Sequence, residues 1–349
     1  MQQVIRTGIC SYGMSGKIFH APFIQNHPGF ELTAIVERHK EESKRRYPQA
    51  KLYRSFEELL ADDSIQLIVV NTPVQTHFDY VKAALQAGKD VVAEKPFTVT
   101  AAEARELAEI ARQTGRLLSV YQNRRYDGDF RAIKDVVDKG LLGEIVEVEM
   151  RYDRYRTQYS GKQHKEGALP GAGIVHDLGA HLIDQALQLF GWPEKIFADI
   201  RTLRKDGVEA NDYFEILLYY PRNRVRLKST VIARESSYAY VLHGTKGSFL
   251  QQRSDLQEEQ LVAEKEPSLE PWCPATAEPD GLLHYEENGQ WIRRYQTSVP
   301  GNYMGYYEDV YQALTGKRDN PVPAADAVKT MTLIEKAFES SDKGAVLMC

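Results

Sequence analysis

A short apolar run over residues 4–10 leads straight into Ser11-Tyr12-Gly13-Met14-Ser15-Gly16, and a helical stretch broken near Pro22 follows. This order of strand, glycine turn and helix constrains the fold more than any other feature, and the pattern then recurs. A strand signal at 32–36 precedes Ser55-Phe56-Glu57-Glu58, a capping box that opens a helix. A continuous apolar run at 65–70, of the kind buried parallel strands need, ends at Asn71-Thr72-Pro73. Residues 78–87 read as a helix stopped by Gly88, and residues 90–93 as the next strand. Thr100-Ala101-Ala102-Glu103 is a second capping box, Gly115 closes its helix, and residues 117–121 again have strand character. Strands alternating with helices in this way predict an α/β, doubly wound parallel sheet.

Beyond residue 122 the period changes. A helix signal at about 130–139 leads into alternating runs at 144–156, 213–220 and 224–233, which predict an antiparallel sheet with one covered face. The expected organisation is a dinucleotide-binding domain over 1–122 and, over 123–349, an α+β domain with a mostly antiparallel open sheet. Residues 253–288, rich in Glu, Gln and Pro, are expected to form a long surface excursion.

With 44 Lys+Arg against 49 Asp+Glu the formal charge is −5, and the signs are interspersed. Neither a nucleic-acid backbone nor a membrane surface is an expected partner. No apolar run is long enough to span a bilayer, and a signal peptide is not expected. Three widely spaced cysteines, Cys10, Cys273 and Cys349, without C-x-x-C spacing fit a reducing cytoplasm.

Ser11 to Gly16 is the fingerprint G-x-G-x-x-G with serine in place of the first glycine. Gly13 leaves the backbone bare where a pyrophosphate approaches, and Gly16 permits close packing at the helix start. At the end of the second strand, Glu37 stands where an acid normally holds the adenosine ribose hydroxyls, and Arg38, which could pair with a 2′-phosphate, follows it. Glu94-Lys95-Pro96 lies at the carboxyl end of a strand, where ligands of an open α/β sheet collect. There an ammonium can polarise an oxygen that gains negative charge. In 170–189, Asp177, His181, Asp184 and Gln188 recur at helical spacing on one face, opposite Leu178, Leu182, Ala186 and Leu189. Asp177 and His181, four residues apart, can both reach one hydroxyl, and histidine titrates near neutrality. His176 and His181 diverge on a helix and no H-E-x-x-H or cysteine cluster accompanies them, so no metal site is assigned.

Taken together, Ser11 to Pro22, Asn71-Thr72-Pro73 with His77, Ala87-Gly88-Lys89, Glu94-Lys95-Pro96 and Asp177-Leu178-Gly179-Ala180-His181 resemble the glucose-fructose oxidoreductase, inositol dehydrogenase and MocA (Gfo/Idh/MocA) family over nearly the whole chain. Tyr121-Gln122-Asn123-Arg124-Arg125, Tyr152-Asp153-Arg154-Tyr155-Arg156 and Asp184-Gln185 are similar to its branch of NADP-dependent scyllo-inositol dehydrogenases. The resemblance implies a Rossmann domain, a second domain whose sheet joins copies into a homodimer or homotetramer, and catalysis by Lys95, Asp177 and His181. It implies dinucleotide contacts from Ser11, Tyr12, Gly13, Met14, Ser15, Gly16, Glu37, Arg38, Asn71, Thr72, Pro73, His77, Glu94, Lys95 and Asn123. Substrate contacts would come from Asn123, Tyr152, Arg154, Tyr155 and Arg156. The implied activity is hydride transfer between NAD or NADP and a secondary hydroxyl of a sugar or cyclitol. Arg38 tilts the expectation to NADP, with Glu37 turned toward solvent. Two other readings are an NAD-dependent glycosidase on the same fold and a cofactor-sensing regulatory subunit. Retention of Lys95, Asp177 and His181 speaks against the sensor.

Overall fold

The computed structural model describes residues 3–205, 207–235 and 237–349. The chain divides into two compact units, and the first break falls at Asn123/Arg124. The later chain does not stay in the second unit: residues 257–274 and 302–328 belong to the first. The contiguous two-part division expected from the sequence therefore gives way to an interleaved one.

The first unit is built on a six-stranded sheet with the order β3-β2-β1-β4-β5-β6. Its strands are β1 (Ile5–Ile9), β2 (Phe30–Val36), β3 (Lys51–Tyr53), β4 (Leu67–Val70), β5 (Asp90–Ala93) and β6 (Leu118–Val120), all paired in parallel. This is the doubly wound order, with its switch point between β1 and β4. The apolar runs are buried on both faces, as in β4 and in Val91 to Ala93. Both capping signals hold: Ser55 accepts from the Glu58 amide, and Thr100 and Glu103 form a reciprocal box. Glu58 reaches back one residue further than a reciprocal box requires, to the Arg54 amide.

The second unit carries a nine-stranded sheet, ordered β14-β13-β12-β11-β7-β10-β9-β8-β15. Its strands are β7 (Ile145–Arg151), β8 (Lys195–Arg201), β9 (Tyr213–Tyr219), β10 (Arg224–Thr230), β11 (Tyr240–Gly244), β12 (Gly247–Gln251), β13 (Gly281–Glu287), β14 (Gln290–Gln296) and β15 (Leu347–Met348). Pairing is antiparallel except between β7 and β10, which run parallel, with Val148 opposite Val225. The alternation read in these strands buries Phe214, Ile216, Leu218, Val225 and Leu227 on one face. The other face carries charge pairs such as Arg226–Glu215 at 3.0 Å.

Residues 253–288 are not a surface excursion. They contain the helix Gln257–Val262 and strand β13. Gln257 is buried and accepts a 2.6 Å bond from the Tyr303 amide, while Trp272 packs edge-on to Phe23 within the first unit. Among the described residues no helix is long and apolar enough to cross a membrane.

Candidate active site

In the first unit the glycine loop is shaped by contacts to the end of β4. Asn71 donates to the Ser11 carbonyl at 2.8 Å and to Ser15 Oγ at 3.2 Å, and Ser11 Oγ accepts from the Gly13 amide at 3.3 Å. A Cβ at Gly16 would lie 2.1 Å from the Ser11 carbonyl oxygen, so the close approach of turn and helix requires glycine there. At Gly13 the nearest atom to such a Cβ is Ser11 Oγ at 3.5 Å, an ordinary contact. The protein alone does not require that glycine, whereas a phosphate seated on the loop does. Asn71 Oδ1 is buried and has no hydrogen-bond partner among the described residues. A bare glycine turn beside an unsatisfied acceptor fits a dinucleotide. Tyr12 is buried edge-on to Tyr47, with the Lys17 ammonium 5.5 Å from its ring, and Met14 is exposed.

Replacing the two glycines separates folding from binding. Gly16→Ala is expected to cost about 1–3 kcal/mol of stability through the forced clash, read from a urea transition. Gly13→Ala is expected to leave the transition in place and weaken dinucleotide affinity in a fluorescence titration. Equal transitions for the two variants would contradict the assignment.

Glu37 does not point to solvent, contrary to expectation. It is buried, and its carboxylate accepts bonds from the Glu42 amide (3.1 Å), the Ser43 amide (2.9 Å) and Ser43 Oγ (2.5 Å). The acid caps the short helix Ser43–Arg46, whose free amides draw it inward. Arg38 is exposed and forms no ion pair with a described residue.

His77 and Glu94 also serve the protein's own loops. His77 is buried, with Nε2 2.8 Å from the Thr72 carbonyl and Nδ1 3.1 Å from those of Pro96 and Phe97, so it braces the two loops that follow β4 and β5. Burial lowers its imidazole below the ordinary value despite those carbonyls. Thr72 Oγ1 bonds Thr76 Oγ1 at 2.6 Å, and Pro73 is exposed. The Lys95–Pro96 peptide is cis, and Lys95 is half-buried. Its amide donates to Glu94 Oε2 at 2.9 Å, Glu94 Oε1 lies 2.9 Å from His20 Nε2, and His20 Nδ1 lies 2.6 Å from Tyr307 Oη. Burial works to raise the Glu94 carboxyl, but the His20 bond and the His20 and Lys95 charges hold it below the usual range. The loop bearing Lys95 is thus fastened through a buried chain that ends on the Tyr303–Leu314 helix. Asn123, also assigned to this unit, is buried.

In the second unit Asp177 lies in a π-helical turn, Val175–Gly179, that runs directly into the helix Ala180–Phe190 carrying His181. The wider turn departs from the α-helical spacing assumed for Asp177 and His181; such turns are frequent at functional sites. Asn211 closes its entrance: Oδ1 accepts from the Val175 amide at 2.9 Å, and a Cβ at Gly173 would strike Asn211 Nδ2. The Asp177 carboxylate has Arg154 3.5 Å from Oδ2 and Lys165 3.5 Å from Oδ1. His181 and Asp184 are buried, Asp177 is half-buried and Gln188 is exposed, so the face read as polar reaches solvent mainly at its far end. Asp184 forms a bidentate pair with Arg125, at 2.8 and 2.6 Å, and Gln185 bonds the Arg124 carbonyl and Tyr240 Oη. Tyr152 is flanked by guanidiniums, with Arg253 at 4.1 Å, Arg124 at 5.2 Å and Arg154 at 5.5 Å from its ring. Tyr155 and Arg156 are exposed.

Asn211, Lys165, Arg253 and the His20–Tyr307 pair were not singled out from the sequence. Each acts across a long sequence separation and leaves no local spacing signal.

His176 turns into the unit interior, stacked on Phe338 with ring centroids 5.6 Å apart, and burial lowers its imidazole to about 4. The unfolded chain protonates this group near pH 6.5 and so binds more protons as pH falls. Stability is fully present above that value and is lost on acidification toward about pH 4, by up to about 3 kcal/mol. Urea transitions measured between these pH values should shift in the wild type and shift less in His176→Phe. Parallel shifts in both would refute this. Among the described residues no group of three His, Cys, Asp or Glu side chains could hold a metal.

A parallel sheet in doubly wound order with a bare glycine turn at its switch point defines a dinucleotide-binding fold. Residues 5–122 match the oxidoreductase family with NAD-binding Rossmann fold, and residues 130–250 match the GFO/IDH/MocA C-terminal domain. The chain is 41% identical to the uncharacterized oxidoreductase YdgJ of Escherichia coli, over 99% of both chains. It is 35% identical to the NADP(+) scyllo-inositol 2-dehydrogenase IolW of Bacillus subtilis, over 99% of this chain and 96% of that one. The crystal structure of an oxidoreductase from Bacillus cereus superimposes with a TM-score of 0.89 at 29% identity, over 99% of this chain and 98% of that one. The chain belongs to the Gfo/Idh/MocA family of NAD(P)-dependent oxidoreductases.

Proposed function

We propose that the protein reversibly oxidises a secondary hydroxyl of a sugar or cyclitol and prefers NADP. The observation that carries the catalytic reading is the buried chain from Tyr307 through His20 and Glu94 to the Lys95 amide. A lysine that merely covers apolar surface needs no such fixation, whereas a group aimed at a reacting oxygen does. The bound nicotinamide supplies the hydride acceptor. Lys95 holds the hydroxyl oxygen as it gains negative charge, His181 takes the hydroxyl proton, and Asp177 orients a neighbouring hydroxyl. The similarity to a scyllo-inositol dehydrogenase supports a cyclitol or a sugar of like shape.

The preference for NADP rests on Glu37 and Arg38. With both Glu37 oxygens engaged by the Ser43–Arg46 cap, no open carboxylate repels a 2′-phosphate, and the exposed Arg38 can pair with it. Turnover of cyclitols and aldoses with both cofactors, followed by nicotinamide absorbance, tests the whole reading. NADP is expected to be favoured, and Arg38→Ala to lower its specificity constant by about 10–100-fold, as for a lost charged contact. A preference for NAD that Arg38→Ala leaves untouched would reject the cofactor assignment. No alcohol oxidation with either cofactor would reject the reaction. We also propose that the face bearing Trp291 and Tyr295, both exposed on β14, joins copies of the chain into a homo-oligomer, which light scattering would reveal.

A further inference from the structure

The stretch 151–170 carries Arg151, Arg154, Arg156, Lys162 and Lys165 against Asp153 and Glu166, five positive charges to two negative in a chain whose net charge is −5. Both acids are committed: Asp153 to Arg151 at 3.1 Å and to the Thr230 amide, Glu166 to Arg204 at 2.8 Å and to Ser160. Of the remaining cations, Arg154 and Lys165 meet one carboxylate, that of Asp177, on its two oxygens. Each contact is 3.5 Å, longer than the 2.7–2.9 Å of a closed charge-assisted bond. Each cation uses one donor on Asp177, which leaves further N–H groups of the guanidinium and the ammonium for another acceptor.

The backbone that carries the two cations is held by the fold. Arg154 lies against the Tyr152 ring, whose position Arg253 and Arg124 fix, and its amide bonds the Thr230 carbonyl at 2.9 Å. Lys165 accepts at its carbonyl from the Gly173 amide at 2.9 Å. The next residue, Glu166, is tied to Arg204, which is itself paired with the buried Asp212 at 2.9 Å, while its carbonyl accepts from the amides of Glu209 and Ala210. Arg156, and Arg234 against the Tyr155 ring, form no ion pair with a described residue and add to the field. Two cations with donors to spare flank one carboxylate, an arrangement that a neutral polyol does not require.

We propose that the substrate is a polyol bearing an anionic group, a carboxylate or a phosphate ester, which is held by Arg154 and Lys165 while Asp177 receives a hydroxyl. This rests on the dehydrogenase reading above and narrows its substrate class. The test compares glucose with glucuronate and with a glucose phosphate monoester, and myo-inositol with its monophosphate. NADP-dependent kcat/KM is measured at low and high salt, and thermal shift with the same compounds in parallel.

An anionic member is expected to exceed its neutral parent by about tenfold at low salt, with the advantage shrinking as salt rises. The carboxylate and phosphate arms identify which anion is taken. Arg154→Gln with Lys165→Gln should abolish the preference, mainly through KM, and Arg154→Lys with Lys165→Arg should retain it. Turnover that favours the neutral members, or a preference untouched by the Gln pair, overturns the proposal and leaves the dehydrogenase reading standing. If no compound is turned over, the dehydrogenase reading fails. The anion seat then stands if anionic compounds raise the melting temperature of the wild type but not of the Gln pair, and it falls if they do not.

Discussion

Lys95→Ala is expected to lower turnover by about two orders of magnitude or more, the usual cost of removing a group that stabilises a developing oxyanion. Dinucleotide affinity should change little, because the glycine loop is shaped by Ser11, Asn71 and Gly16 and does not depend on the Lys95 side chain. The backbone fixation should persist in the variant, because the chain through Glu94 ends on the Lys95 amide, which alanine keeps. Single-turnover kinetics with a saturating cofactor would separate these effects. Near-normal turnover would transfer the oxyanion role to another residue. Because Glu94 is held ionised to below the usual carboxylate range, the fixation persists through neutral pH and is lost only as pH falls through that depressed value.

Asp184→Ala should have the largest effect on stability. Asp184 and Arg125 are nearly buried, with 3% and 11% of their side chains exposed, and they share two short bonds. Removing the acid takes a bidentate countercharge from a nearly buried guanidinium, for which about 3–5 kcal/mol is expected. The urea midpoint should drop accordingly. Replacing both partners together, as Asp184→Leu with Arg125→Met, should recover much of the loss, since neither charge then remains. A drop below about 1 kcal/mol for Asp184→Ala would mean that water reaches the pair.

Asp184 illustrates what was legible in the sequence. Its place on a helix was readable from the 3.6-residue period, but the buried partner that decides its role lies 59 residues away. The first sheet was readable because runs such as Leu67–Val70 are apolar throughout and are bounded by caps and glycines with local causes. β3 escaped notice because it is three residues long and only partly buried. The parallel pairing of β7 with β10 has no sequence signature, since alternation reports which face is covered and not the direction of the neighbour. Motif spacing singled out Lys95, Asp177 and His181 as candidates. It could not show that Glu37 is drawn inward by a short helix, or that a π-helical turn resets the spacing after Asp177.

The interleaving of the chain also sets an order of events during synthesis. The sheet that carries the glycine loop is complete once residue 120 has been made, yet Tyr306 and Tyr307, which bond Ser119 and His20, emerge almost two hundred residues later. Until then the ribosome holds a nascent sheet whose aromatic cover is missing and whose Lys95 loop lacks its final anchor. The final anchor of the Lys95 loop therefore arrives near the end of translation, together with the cover that Tyr307 gives to Phe23 and Tyr121.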